Sequence, residues 1–369
     1  MLCMILVSCT GQKTGKENDN NDKIAIEVGE IKFPPQDVLQ LKSYYLSSSV
    51  HVDSIDYLIG YNYRLHSLDC MNLKSKSVTQ IVLPGDGPDA IVRLSGIYAQ
   101  SLDSVWISDE SERAFLIDSV GTIKRMIDLK KYLEDQEQLL INTNYAMFTS
   151  HLFYNASRHS LMFLVKHTPS NTFIVKEAFI DEVGKMATYQ LSSSKVVPDM
   201  SKGYAYINFP NVNFVGENIV YNYPVESSIY MLDIRTNERK YILADSHYTS
   251  NIIEKCTTSG DYATLEKHWL ENSHFYDIMY LPKYKIYARL HADKVDFDEK
   301  KGMEKLINER DLYLMLFDEN MEKIGETKLS NCRYSPFTSW NATYGGIALF
   351  VDNVLDEKNN TDDLTIDII

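Results

Sequence analysis

Residues 114–129 read AFLIDSVGTIKRMIDL, and the fold class turns on this stretch. An apolar run closes on Leu116-Ile117-Asp118, Ser119-Val120-Gly121 reverses the chain, and Thr122 to Leu129 leads away as a second run. Short apolar runs bounded by Gly, Asp, Asn and Ser are strands joined by a tight turn. Asp at a strand end bonds back to neighbouring amides, and Gly supplies the positive φ that the turn needs. These Asp residues therefore read as turn formers, not catalysts.

The unit recurs. Ser67-Leu68-Asp69, Phe179-Ile180-Asp181, Met231-Leu232-Asp233 and Leu316-Phe317-Asp318 each lead into a polar turn, and the strands that follow read SVTQIVL, KMATYQL, ERKYIL and KIGETKL. Ile366-Asp367 offers a sixth, incomplete instance, and the stretch ahead of Asp69 has room for one more blade. A four-stranded propeller blade takes about 40–50 residues, and longer intervals mark loop insertions. The count favours an all-β fold, a β-propeller with six blades. Three segments, Arg125 to Asn142, Asp261 to Asn272 and Glu299 to Arg310, space apolar residues at helical intervals and are predicted as short helical insertions. Ile24 to Phe33 and Leu364 to Ile369 alternate as strands. A ring must close, so both chain ends are expected in one blade, where their pairing removes two open edges.

Composition agrees. With 44% hydrophobic and 24% charged residues the chain is folded, globular material. Its 25 Tyr and 14 Phe against 10 Pro favour pleated surfaces. A net charge of −14 with no basic block excludes nucleic acid as a partner, because phosphate recognition needs a cationic face.

Residues 1–9 read MLCMILVSC, an apolar run ending in a small residue and a cysteine. Leu6-Val7-Ser8-Cys9 resembles the lipobox of bacterial lipoproteins, which implies a signal peptide over 1–8 and acylation of Cys9, palmitate included. The run is short and lacks the usual basic residues, so the true start is expected upstream. Residues 9–23 are polar after Cys9 and read as a flexible tether, leaving 24–369 as a single propeller domain. No later stretch is apolar enough to span a bilayer, so the lipid anchor is the expected membrane partner. Thr10 after the cysteine is not the Asp that retains lipoproteins in the inner membrane, and by that analogy the cell outer membrane is the expected location. Cys70, Cys256 and Cys332 are odd in number and unpatterned, which predicts buried free thiols and neither disulfide nor metal site.

Gly85-Asp86-Gly87-Pro88-Asp89 reads as an inter-blade turn. Together with the lipobox, the strand–Asp–turn–strand units and the length, it resembles the propeller lipoproteins of gut anaerobes of the Bacteroides group. Among these the chain is similar to the family of domain of unknown function 4221 over roughly Lys23 to Ile369. The resemblance implies a propeller on the cell envelope and supplies no catalytic residues.

His151, His159 and His167 recur every eighth residue but straddle an expected hairpin without accompanying carboxylates, so no metal is predicted. No nucleophile motif is present, and no cofactor is expected. The run from Tyr204 to Tyr230, with Tyr204, Tyr206, Tyr221 and Tyr223, pairs aromatic rings with amides and is a candidate surface for a glycan or an envelope protein. Set beside it is the blander reading of a blade core rich in Tyr. Trp269, Trp340, Tyr287 and Arg289 are further contact candidates, the last two on one strand face. The expected function is a ligand- or partner-binding module. The alternative is a glycan hydrolase or lyase with carboxylates in the propeller funnel.

Overall fold

Strands separated by the predicted turns assemble into six antiparallel sheets. The structure, a computed structural model, describes residues 24–35, 41–140, 151–197, 203–204, 207–256, 261–337, 340–358 and 362–369. From the innermost strand outward, blade I holds Ser47–Val52, Ile55–Asn62, Ser67–Asn72 and Val78–Val82. Blade II holds Leu94–Ser101, Ser104–Asp109, Arg113–Ile117 and Ile123–Asp128. In blade III the inner position is split between Phe153–Asn155 and Glu137–Leu139, which pair with opposite ends of Ser160–His167. Thr172–Phe179 and Met186–Gln190 complete it. Blade IV holds Asn211–Val215, Asn218–Asn222, Ile229–Asp233 and Arg239–Ile242. Blade V holds His274–Leu281, Ile286–Ala292, Leu312–Phe317 and Lys323–Lys328. Blade VI holds Trp340–Ala342, Ile347–Phe350, Leu364–Ile368 and, outermost, Gly29–Phe33.

The two chain ends therefore share blade VI, with Gly29 opposite Ile368 and Phe33 opposite Leu364. The described residues ahead of Asp69 form no blade of their own. They supply this closing strand and the inner half of blade I.

The apolar interior is divided among six wedges, one between each neighbouring pair of blades. Ile59 and Tyr61 of blade I pack toward blade II, while Leu58 packs toward blade VI. Both faces of a blade are thus buried, which is why the middle strands are continuous apolar runs instead of alternating ones. Inner strands of adjacent blades abut around the ring, and the Phe153 and Phe214 rings stack at 4.9 Å between blades III and IV.

The Asp turns divide into two kinds. Asp118 accepts from the amides of Val120 at 3.1 Å and Thr122 at 2.8 Å, with Gly121 at φ +85°. Asp233 and Asp318 close their turns in the same way. Asp181 instead reaches Arg125 of the neighbouring blade. Asp69 and Asp367 correct the repeat: both are buried within strands. Asp69 accepts from Tyr44 and Asn62, and the turn of blade I is made by Asn72. Asp367 takes a two-pronged contact from Arg333 at 2.6 and 2.9 Å, plus the Tyr334 hydroxyl.

Two predicted insertions are helices, Tyr262–Leu270 capped by Asp261, and Met303–Asn308. The third is not. Arg125 to Leu140 forms the outer strand of blade II, a 3-10 turn over Leu129–Tyr132 and the strand Glu137–Leu139, and positions 141–142 lie outside the described residues. Its edge pairing in blades II and III overrides the helical spacing of its apolar residues.

Candidate functional site

Six inner strands meeting edge to edge leave a cavity of about 410 Å³ on the axis, to which every blade contributes. Blade I lines it with Ser47 to His51, and blade VI with Trp340 to Tyr344. These two strands are linked by Asn341 donating to the Ser47 hydroxyl and by Ser49 donating to the Ala342 carbonyl. Rings come from Tyr98, Phe153, Phe214 and Tyr280, and amides from Asn213 and Asn341. Burial pushes the Tyr98 hydroxyl up, so it stays protonated and able to donate.

Near the start of the inner strands, three blades meet in one polar cluster. Asp277 of blade V is 3% exposed. Its Oδ2 lies 3.0 Å from His151 Nε2, and its Oδ1 accepts from the Trp340 indole at 3.1 Å. Tyr276 braces Trp340 edge-on at 4.6 Å. At the strands' far end the His51 ring stacks on Tyr344 at 4.2 Å, and its Nδ1 lies 2.7 Å from Asp56. Asp56 in turn accepts from the Tyr344 and Gly345 amides. Each histidine of the channel is thus oriented by one carboxylate.

Of the described contact residues predicted from sequence, Trp340 alone lines this channel. Tyr204, Tyr221 and Tyr223 are buried between blades III and IV. Tyr221 stacks on Tyr230 at 5.1 Å, and the Tyr221 and Tyr223 hydroxyls both bond to the Ser192 backbone. The described part of the run is a blade core, which corrects its reading as a contact surface, and Tyr206 lies outside the described residues. Trp269 is buried too, edge-on to Phe337 at 5.4 Å with the Arg310 guanidinium over its face. Tyr287 and Arg289 share a face, as their spacing implies, but it is buried against blade IV. Arg289 donates to the carbonyls of Ser227 and Ala244 and lies over Phe275, clamping blades IV and V, with burial pulling its pKa down to about 9.

His151, His159 and His167 do straddle the hairpin and do not converge. His159 sits in the turn and His167 ends the strand. The carboxylate partner of His151 is 126 residues away, out of reach of local spacing. Among the described residues no cluster of three metal-binding side chains occurs. Cys70 and Cys256 are buried and in no disulfide, and Cys332 is half-buried.

The arrangement defines a class, a six-bladed β-propeller with an aromatic- and hydroxyl-lined cavity on its axis. Residues 17–328 match the family described as "Domain of unknown function (DUF4221)", and the chain belongs to that family. It is similar to the crystal structure of a DUF4221 family member from Bacteroides vulgatus, at 14% identity over 93% of this chain and 98% of that one, with a TM-score of 0.74. It is also similar to a Bacteroides fragilis protein designated as exported, at 13% identity over 92% and 93% of the two chains, with a TM-score of 0.56. Among curated proteins nothing matches.

Proposed function

We propose that this protein is an exported lipoprotein of the bacterial cell envelope, anchored through Cys9 with the outer membrane as its site, whose propeller binds a ligand in its axial channel. The Leu6-Val7-Ser8-Cys9 signature and the exported designation of the Bacteroides fragilis relative support the location. The lining carries the binding reading: aromatic rings, serine hydroxyls and amides converge on one axial cavity from all six blades. Ligand sites are concave and largely apolar, with a few placed polar groups, and span roughly 300–1,000 Å³. Glycoside cleavage by paired acids needs two carboxylates across the scissile bond, whereas the described lining presents one, Asp277, already held by two donors. Binding is therefore the reading taken forward.

Trp340 supplies the test. Of the three tryptophans, Trp106 and Trp269 are buried in the core and Trp340 faces the channel. Titrating the full chain with mono- and disaccharides and short peptides should give a saturable change in tryptophan fluorescence, and Trp340→Phe should abolish that signal. Saturable binding whose signal survives in Trp340→Phe would place the ligand elsewhere.

A further inference from the structure

The channel's charge and hydrogen-bonding pattern narrows what it can hold. Tryptophan has a donor and no acceptor, so the Trp340 indole fixes Asp277 Oδ1 as an accepting oxygen. The second oxygen faces His151 Nε2, and a carboxylate there accepts. In the neutral form of this ring the proton then sits on Nε2, and Nδ1 keeps its lone pair. That nitrogen has no hydrogen-bond partner among the described residues. Asp277 itself is closed off, with 4% of its side chain exposed, against 27% for His151. A ligand in the channel meets the histidine that the acid orients, not the acid.

No Lys or Arg lines the described cavity, so an anionic ligand would meet no countercharge. A cationic one would have to reach a shielded carboxylate with both oxygens engaged. What remains is an uncharged molecule rich in donors, with an apolar face for Trp340 and Tyr98 and polar edges for Ser47 and Asn213. A pyranose ring has this pairing of C–H faces and rim hydroxyls. We infer that the channel binds a neutral sugar, one hydroxyl of which donates to His151 Nδ1, with Asp277 and Trp340 as positioning residues that fix the acceptor. The inference rests on the channel being the binding place.

Nitrogen NMR of the full chain labelled at histidine reads the tautomer directly. The unliganded protein should show His151 protonated at Nε2 and bare at Nδ1. Galactose, N-acetylglucosamine or cellobiose should move the Nδ1 resonance, and glucosamine and glucuronate should bind at least about tenfold more weakly. Asp277→Asn places an amide donor against Nε2, moves the ring proton to Nδ1 and turns the acceptor into a donor. Neutral-sugar affinity should then fall about tenfold or more. His151→Phe should lose as much, and His151→Gln, which keeps a donor for Asp277 and an oxygen for the sugar, should recover most of it. A bare Nε2 in the native protein, a preference for the charged sugars, or neutral binding unchanged in His151→Phe would each overturn the inference while leaving the channel as the binding place. Neutral and charged sugars that all leave the Trp340 fluorescence unmoved would remove both.

Discussion

Glu326 joins blades IV and V through a buried cluster of hydrogen bonds. It is 1% exposed and accepts from His291 Nε2 at 2.9 Å, from the His247 amide at 3.0 Å and from the Ser246 hydroxyl. Burial alone would raise its carboxyl, but these donors outweigh it and bring the pKa to about 2 from an ordinary 4.5. A carboxyl depressed in the folded state contributes stability that is full above its unfolded pKa and is lost as pH falls toward the folded one. The window therefore runs from about pH 4.5 down to about 2. His291, stacked between Phe275 and Tyr313, is lowered by burial and adds to acid sensitivity from a higher pH, because the unfolded chain takes up its proton more readily. Urea unfolding should show Glu326→Ala less stable by about 2–4 kcal/mol at neutral pH, through stranded buried donors. Glu326→Gln should lose less stability than wild type between about pH 5 and 3. An identical acid slope in wild type and Glu326→Gln would show that other groups govern it. At this scale the sequence was least legible. His151, Asp277 and Trp340 lie on three blades, and each sits among core residues of the same type. The Tyr204–Tyr230 run was conspicuous for a different reason, since its rings fill a wedge and its hydroxyls cap nearby backbone.

Among elements, the strand Leu364–Ile368 bears on closure. It lies between Ile347–Phe350 and the N-terminal Gly29–Phe33, so its loss would detach the closing strand and open the edge of blade VI. Asp367 also anchors Arg333, which reaches Glu30 at 3.0 Å, so one arginine ties both chain ends. Removing residues 364–369 should lower the melting temperature by at least about 5 °C and make blade VI the first site of limited proteolysis. A truncated chain with unchanged melting and protease resistance would mean that closure is held elsewhere. This pairing was readable because alternation at both ends and the need to cover edges pointed the same way. The repeat was readable for a similar reason at Asp118, Asp233 and Asp318, where turn chemistry is local. It misled at Asp69 and Asp367, whose partners lie on other strands, and at Arg125 to Asn142, where edge strands of two blades carry helix-like spacing.

For the whole molecule, the route of the N-terminus decides how a lipid anchor and an axial site coexist. The first described strand, Gly29–Phe33, is the outermost of blade VI, so the chain enters the ring at its rim. With the proposed anchor at Cys9, entry at the rim keeps the described N-terminal strand away from the axial cavity. Anchoring and binding should then be separable. Cys9→Ser should cease to incorporate labelled palmitate and should move from the membrane to the soluble fraction of fractionated cells. The same variant should bind channel ligands with an affinity within about twofold of wild type, because no side chain of the channel is touched. Palmitate incorporation that persists in Cys9→Ser would refute the anchor, and lost binding in a folded Cys9→Ser chain would show that the N-terminus takes part in the site.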